Sequence, residues 1–220
     1  MRRVFHNNGL SIVCGLFFLA FLFAQSLTGQ LQHNENQQEH GQPTARYFEY
    51  LGSSHFLEVT MENWESEFLQ MFAFIVLTTF LYQKGSVESK DPDKKEEVDR
   101  HPGKTRRKDA PWPVRKGGFI LRLYEYSLSL AFLLLFLISF WLHAVGGAGE
   151  YNQEQIEHGQ QELVSTLAYL GTSRFWFESM QNWQSEFLAV GSMVVFTIFL
   201  RQRGSAESKP VDSPHSDTGE

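Results

Sequence analysis

A stretch of 41 residues occurs twice in this chain, and any fold it adopts has to accommodate that duplication. Tyr50–Lys90 and Tyr169–Lys209 align at a constant shift of 119 positions, with 22 of 41 identical. Each copy opens on a polar and aromatic approach, passes through N-W-x-S-E-F-L, continues as an apolar run and leaves through a basic G-S-x-E-S-K. Whatever the first copy becomes, the second is expected to become too, so the architecture should come in pairs. An apolar run followed by a basic exit reads as a membrane-crossing unit.

The rest of the apolar sequence is bunched in the same way, which is why the mean hydropathy of -0.27 and the 42% hydrophobic content understate it. A first run, Leu10 to Leu27, follows Arg2 and Arg3. Its basic start and its Ala24-Gln25-Ser26 end resemble a cleavable secretory signal. Against that reading, Leu16–Gly29 aligns with the internal segment Leu134–Gly147 at a shift of 118, and an internal segment is no signal peptide. A retained helix is therefore expected. The second run, Phe68 to Tyr82, is short for a bilayer that needs about 20 residues. Extended back to Trp64 it reaches roughly 28 Å at about 1.5 Å per residue. Leu123 to Val145 is the clearest span, and Trp183 to Leu200 completes a set of four. The 20 Phe, five Trp and seven Tyr suit lipid-facing helices and interfacial rings. The single cysteine, Cys14, lies inside an apolar run and excludes an intramolecular disulfide.

Basic residues set the expected orientation. Seventeen of the 19 Lys and Arg fall at the N-terminus, between Lys84 and Arg122, or after Leu200, and only Arg46 and Arg174 lie on the other side. By the positive-inside rule both termini and the connector are cytoplasmic. The chain then divides into a first transmembrane hairpin repeat (1–90), a charged cytoplasmic linker (91–116), a second hairpin repeat (117–209) and a disordered cytoplasmic tail (210–220). The predicted fold is all-α, an integral membrane four-helix bundle of two parallel repeated hairpins, with amphipathic interfacial helices on the outer side. Parallel hairpins imply a pseudo-twofold axis along the membrane normal, unlike inverted transporter repeats.

Several motifs together resemble a family of bacterial multi-pass membrane proteins of unknown function. They are H-N-N-G-L-S at the start, Q-S-L-T-G at Gln25–Gly29, E-H-G-Q at Glu39–Gln42 and Glu157–Gln160, L-H-A-V-G-G at Leu142–Gly147, and the paired N-W-x-S-E-F-L and G-S-x-E-S-K. The resemblance implies a bacterial inner (plasma) membrane protein and brings no activity with it.

Helical spacing from Phe56 onward places Phe56, Thr60, Asn63 and Glu67 on one face and His55, Glu58, Glu62 and Glu65 on another. The second copy keeps the first face as Phe175, Ser179, Asn182 and Glu186. It replaces the other with Arg174, Phe177, Gln181 and Gln184, so the acidic stripe of the first copy is expected to be a solvated face. Asn63, Glu67, Asn182 and Glu186 form the candidate polar face, because an intramembrane acid is ordinarily paired, protonated or functional. The competing reading has each Glu snorkelling to the interface while Trp64 and Trp183 anchor the helices. His40 and His158, each beside a Glu, are weak candidates for an external metal site; a surface turn is the commoner explanation, and no cofactor is expected.

No glycine-rich phosphate loop, cysteine pair or catalytic triad pattern is present. Asp and Glu interspersed in the basic connector argue against nucleic acid. The expected function is a non-enzymatic structural or interaction protein of the inner membrane, with the lipid bilayer and a protein of unknown identity as partners. The alternative is a small cation or proton channel or transporter built on the four polar-face residues.

Overall fold

The computed structural model describes residues 2–102, 109–160 and 162–219. Residues 103–108 of the expected linker, Gln161 of the second polar loop, Met1 and Glu220 lie outside the described residues. The described chain is helical, without strands. Its helices are α1 (Arg2–Glu39), α2 (Tyr47–Leu51), α3 (Ser54–Leu77), α4 (Trp112–Lys116), α5 (Gly118–Glu125), α6 (Ser127–Glu157), α7 (Thr166–Tyr169) and α8 (Ser173–Phe199).

Two of them, α1 and α6, are long and apolar enough to cross a membrane. Both run past the apolar segment that the sequence marks, α1 through Gly29 to Glu39 and α6 through Gly149 to Glu157. Straight-chain polar residues continue a helix readily, and no proline follows until Pro43. What stops each helix is the E-H-G-Q motif. Gly41 and Gly159 take φ of +69° and +75°, a conformation in which glycine carries no Cβ penalty. Around them Gly41 N–H bonds to Gln38 O and Gln42 N–H to Gln37 O, while Gly159 N–H bonds to Ile156 O and Gln160 N–H to Gln155 O. This paired arrangement is a Schellman cap. Part of each predicted outer loop is thus helix.

The second expected span departs in the other direction. The α-helix proper ends at Leu77 and the chain turns at 78–80, so the helical stretch from Trp64 is nearer 21 Å at about 1.5 Å per residue. The helix starts are cut by hydroxyl caps at matching positions: Ser53 Oγ accepts Phe56 N–H at 3.1 Å and Thr172 Oγ1 accepts Phe175 N–H at 3.3 Å.

The chain forms two compact units, one of residues 1–61 with 141–175 and the other of 62–140 with 176–220. In the first, Tyr50, Ala144, Ala148, Tyr169 and Phe175 are buried. The ring of Tyr50 lies against Gly29 and that of Tyr169 against Gly147, where side chains on the glycines would collide with them. Asn34 clamps the backbone of Ala45, accepting its N–H at 2.8 Å and donating to its carbonyl at 3.0 Å. Asn152 holds Val164 identically, at 2.8 and 2.9 Å.

In the second unit the G-S-x-E-S-K motifs form tight turns. Ser89 Oγ accepts Gln83 N–H at 2.8 Å and Ser86 Oγ accepts Glu88 N–H at 3.1 Å; Ser208 and Ser205 do the same for Gln202 and Glu207 at 2.9 and 3.1 Å. The tail, expected to be solvated and disordered, instead wraps Lys209. The Lys209 ammonium donates to the carbonyls of Gly85, Pro214, His215 and Asp217 at 2.6 to 3.3 Å, and a buried ammonium requires such acceptors.

Candidate functional site

Within the first unit, α1, α3 and α6 each bring one polar side chain to a common point. They are His33, His55 and Glu150, whose nitrogen and oxygen atoms all lie within 4.8 Å of one another. His33 and Glu150 are each only 7% exposed. The two imidazole rings sit 5.2 Å apart, and the Tyr50 ring is 5.5 Å from that of His33. Tyr50 Oη is 3.1 Å from His55 Nδ1 and fixes the orientation of that ring. The helices meet here because α6 presents Gly146, Gly147 and Gly149 where α3 and Tyr169 come closest.

The electrostatics follow from this burial. Desolvation holds both imidazoles below the usual histidine range; for His55 the neighbouring His33 adds to the effect. Tyr50 is pushed up, first by burial and then by the Glu150 carboxylate. Glu150 is pushed up to about 7, mainly by burial and next by Glu154. Its Oε2 is buried and has no hydrogen-bond partner. Arg174 is paired with Glu154 and lies 3.8 Å from Glu58. Two neutral imidazoles beside an under-satisfied carboxyl can hold a proton or a cation.

The acidic stripe of α3 is not a solvated face, contrary to its reading from the sequence. Glu58 is 4% exposed and Glu65 is fully buried. Tyr169 Oη donates to Glu58 at 3.3 Å, within the first unit. In the second, Ser179 Oγ and Trp183 Nε1 donate to Glu65 at 2.7 and 3.2 Å, and Asn182 donates to Glu62. These carboxylates are buried because donors of α7 and α8 meet them, and that complementarity is invisible when either copy is read alone.

Of the candidate polar face, Asn63 and Glu67 are exposed, while Asn182 and Glu186 are half-buried. Asn182 also donates to the carbonyl of Glu178 at 3.2 Å. Trp64 stacks edge-on with Phe68 at 6.4 Å, and Trp183 packs beside Phe136 and Trp176 at 6.1 and 6.2 Å. His40 and His158 come together, ring to ring at 6.1 Å, but both are exposed. Among the described residues no third metal-ligating side chain joins them. Their E-H-G-Q setting is accounted for by the helix caps.

Sequence reasoning missed His33 and Glu150 altogether and took His55 for part of a solvated stripe. The three follow no short ligand spacing. One signal was present: at the positions matching His33, His55 and Glu150, the other copy carries Tyr151, Arg174 and Gln32. The copies lose their likeness together at the place where these residues converge.

No curated protein and no solved structure matches this chain. Its resemblance is therefore to be placed at the level of a family: over residues 1–220 the chain belongs to the family described as Domain of unknown function (DUF6766).

Proposed function

We propose that the protein is a non-enzymatic, four-span inner-membrane protein of structural or interaction type, made of two parallel repeated hairpins with cytoplasmic termini. The observation that carries this reading is the exposure of its most apolar helices. Only 6% of the most apolar window of α1 and 17% of that of α6 is buried, whereas the core helix of a soluble protein would be mostly covered. Leu10, Phe21 and Leu134 are 81%, 69% and 59% exposed; surfaces of this kind suit a lipid environment and support the membrane reading.

Three further observations support the reading. The apolar C-terminal half of α8 exposes Leu188, Phe196 and Phe199. The clamps, caps and exit turns recur at shifts of 118 or 119, as duplicated hairpins require. Retention of α1, rather than cleavage, is favoured by the contacts it makes at and beyond the end of its apolar run: Ser26 with Tyr47 at 2.8 Å, Gln30 and Asn34 with Ala45, and His33 in the polar cluster.

Cysteine labelling in intact spheroplasts tests the topology. With Cys14→Ser as background, Glu39→Cys and Gln160→Cys should react with an impermeant maleimide from outside, and Asp93→Cys and Ser213→Cys only after permeabilisation. Labelling of Asp93→Cys from outside, or release of the protein by alkaline carbonate without detergent, overturns the proposal.

A further inference from the structure

We propose that His33, His55 and Glu150 bind one divalent transition-metal ion of the zinc class, held by two imidazoles and a carboxylate with a fourth position open to water. The donor types are those that zinc and its first-row neighbours select, and the set is too poor in oxygen for calcium or magnesium. Three side chains from three helices converge to within 4.8 Å, a separation that an ion closes by drawing each donor inward by on the order of 1 Å toward metal bonds of about 2.0–2.2 Å. His33 and His55 are 22 residues apart and Glu150 another 95 beyond, so tertiary structure alone assembles the set.

A second, independent observation also points to a ligand. The Glu150 side chain is more than nine-tenths buried, and its Oε2 accepts no hydrogen bond. A buried acid without a partner is destabilising, and Arg174, the basic residue of this region, is engaged by Glu154 and Glu58. The Tyr50 hydroxyl on His55 Nδ1 is the outer-shell contact that orients a metal-binding histidine.

The other copy carries Gln32, Tyr151 and Arg174 at the matching positions, so the duplication does not reproduce this site. The exposed pair His40 and His158 is the internal control. This inference stands apart from the membrane reading, since all three ligands belong to one compact unit.

The test uses the full chain, purified in detergent and stripped with a chelator. Zn²⁺ is titrated in competition with a chromogenic chelator, and Co²⁺ absorption reports the ligand geometry. The expected result is one saturable Zn²⁺ site per chain, a rise in melting temperature on adding Zn²⁺, and no effect of Ca²⁺ or Mg²⁺ at the same concentration. His33→Ala, His55→Gln and Glu150→Gln each weaken Zn²⁺ binding at least about tenfold, while His40→Ala with His158→Ala leaves it unchanged. Glu150→Gln removes a ligand while keeping side-chain size, so its circular dichroism and melting curve without metal show whether the fold is kept. Absence of a saturable site, binding indifferent to all three substitutions, or binding abolished by the His40 and His158 pair overturns the proposal.

Discussion

Substituting Gly146 with alanine probes the helix contact on which the polar cluster depends. A Cβ at this position would stand 2.6 Å from Glu58 N, 2.9 Å from its Cα and 3.0 Å from the Ser54 carbonyl, where ordinary contact begins near 3.4 Å. All three obstacles are backbone, so no side chain can rotate away, and α3 and α6 must separate locally by about 0.8 Å. Overpacking of this kind costs about 1–3 kcal/mol. Alanine is intrinsically better than glycine inside a helix by about 0.5–1 kcal/mol, so Gly146→Ala should be destabilising by up to about 2.5 kcal/mol net. Gly191→Ala supplies the matched control: it lies within α8 with nothing within 4 Å of the added methyl, and should stabilise by about 0.5–1 kcal/mol. Denaturant titration of the detergent-solubilised protein, followed by circular dichroism, reads both. The opposite signs are the point of the comparison. Gly146→Ala stabilised as much as Gly191→Ala would refute the close α3–α6 contact, and with it the placement of His55 beside Glu150.

Glu65→Leu strands the Ser179 hydroxyl and the Trp183 indole N–H and should lose about 2–6 kcal/mol, at roughly 1–3 kcal/mol per stranded donor; Glu67→Gln, at an exposed position, should stay within about 0.5 kcal/mol by the same titration. Proton or cation flux into liposomes, measured for the parent protein and for Glu67→Gln and Glu186→Gln, should be at background in all three; parent flux abolished by either substitution would favour a transporter. Burial, and then the neighbouring Glu207, raise the Glu88 carboxyl above the usual range. A raised carboxyl supports the fold while protonated and loses that contribution as pH climbs through its raised value. Glu88→Gln should therefore match the parent melting temperature near about pH 4 and exceed it at about pH 8; a gain confined to low pH would contradict the burial. Lys209→Met removes the ammonium that four carbonyls surround and should weaken the tail by about 2 kcal/mol, seen as faster hydrogen exchange over 210–219.

Much of the local structure is legible in the motifs once their chemistry is worked through. E-H-G-Q is a helix stop because a glycine follows a polar helical turn, and G-S-x-E-S-K is a turn because two serines can accept backbone N–H groups. The apolar runs of α1 and α6 mark two long helices by length and hydropathy alone. The lengths of those helices were less legible, since Gln- and Glu-rich sequence between Gln30 and Glu39 extends a helix as well as it fills a loop. The end of α3 at Leu77 was hidden in a run whose hydropathy continues to Tyr82.

The candidate sites divide along the same line. Sequence periodicity sorted α3 into a face that both copies share and an acidic face that only one has, and this division was available without coordinates. It could not say which face is buried, because burial of Glu58 and Glu65 depends on the Tyr169, Ser179 and Trp183 donors more than 100 residues away. Nor does any spacing rule join His33, His55 and Glu150. By itself the sequence determined the duplication, the all-helical class and the charge asymmetry, all of which rest on residues within a turn or two of one another or on simple counts. The tertiary structure decided the buried acids and the histidine–carboxylate cluster, because those are properties of side chains brought together by helices that the chain visits far apart.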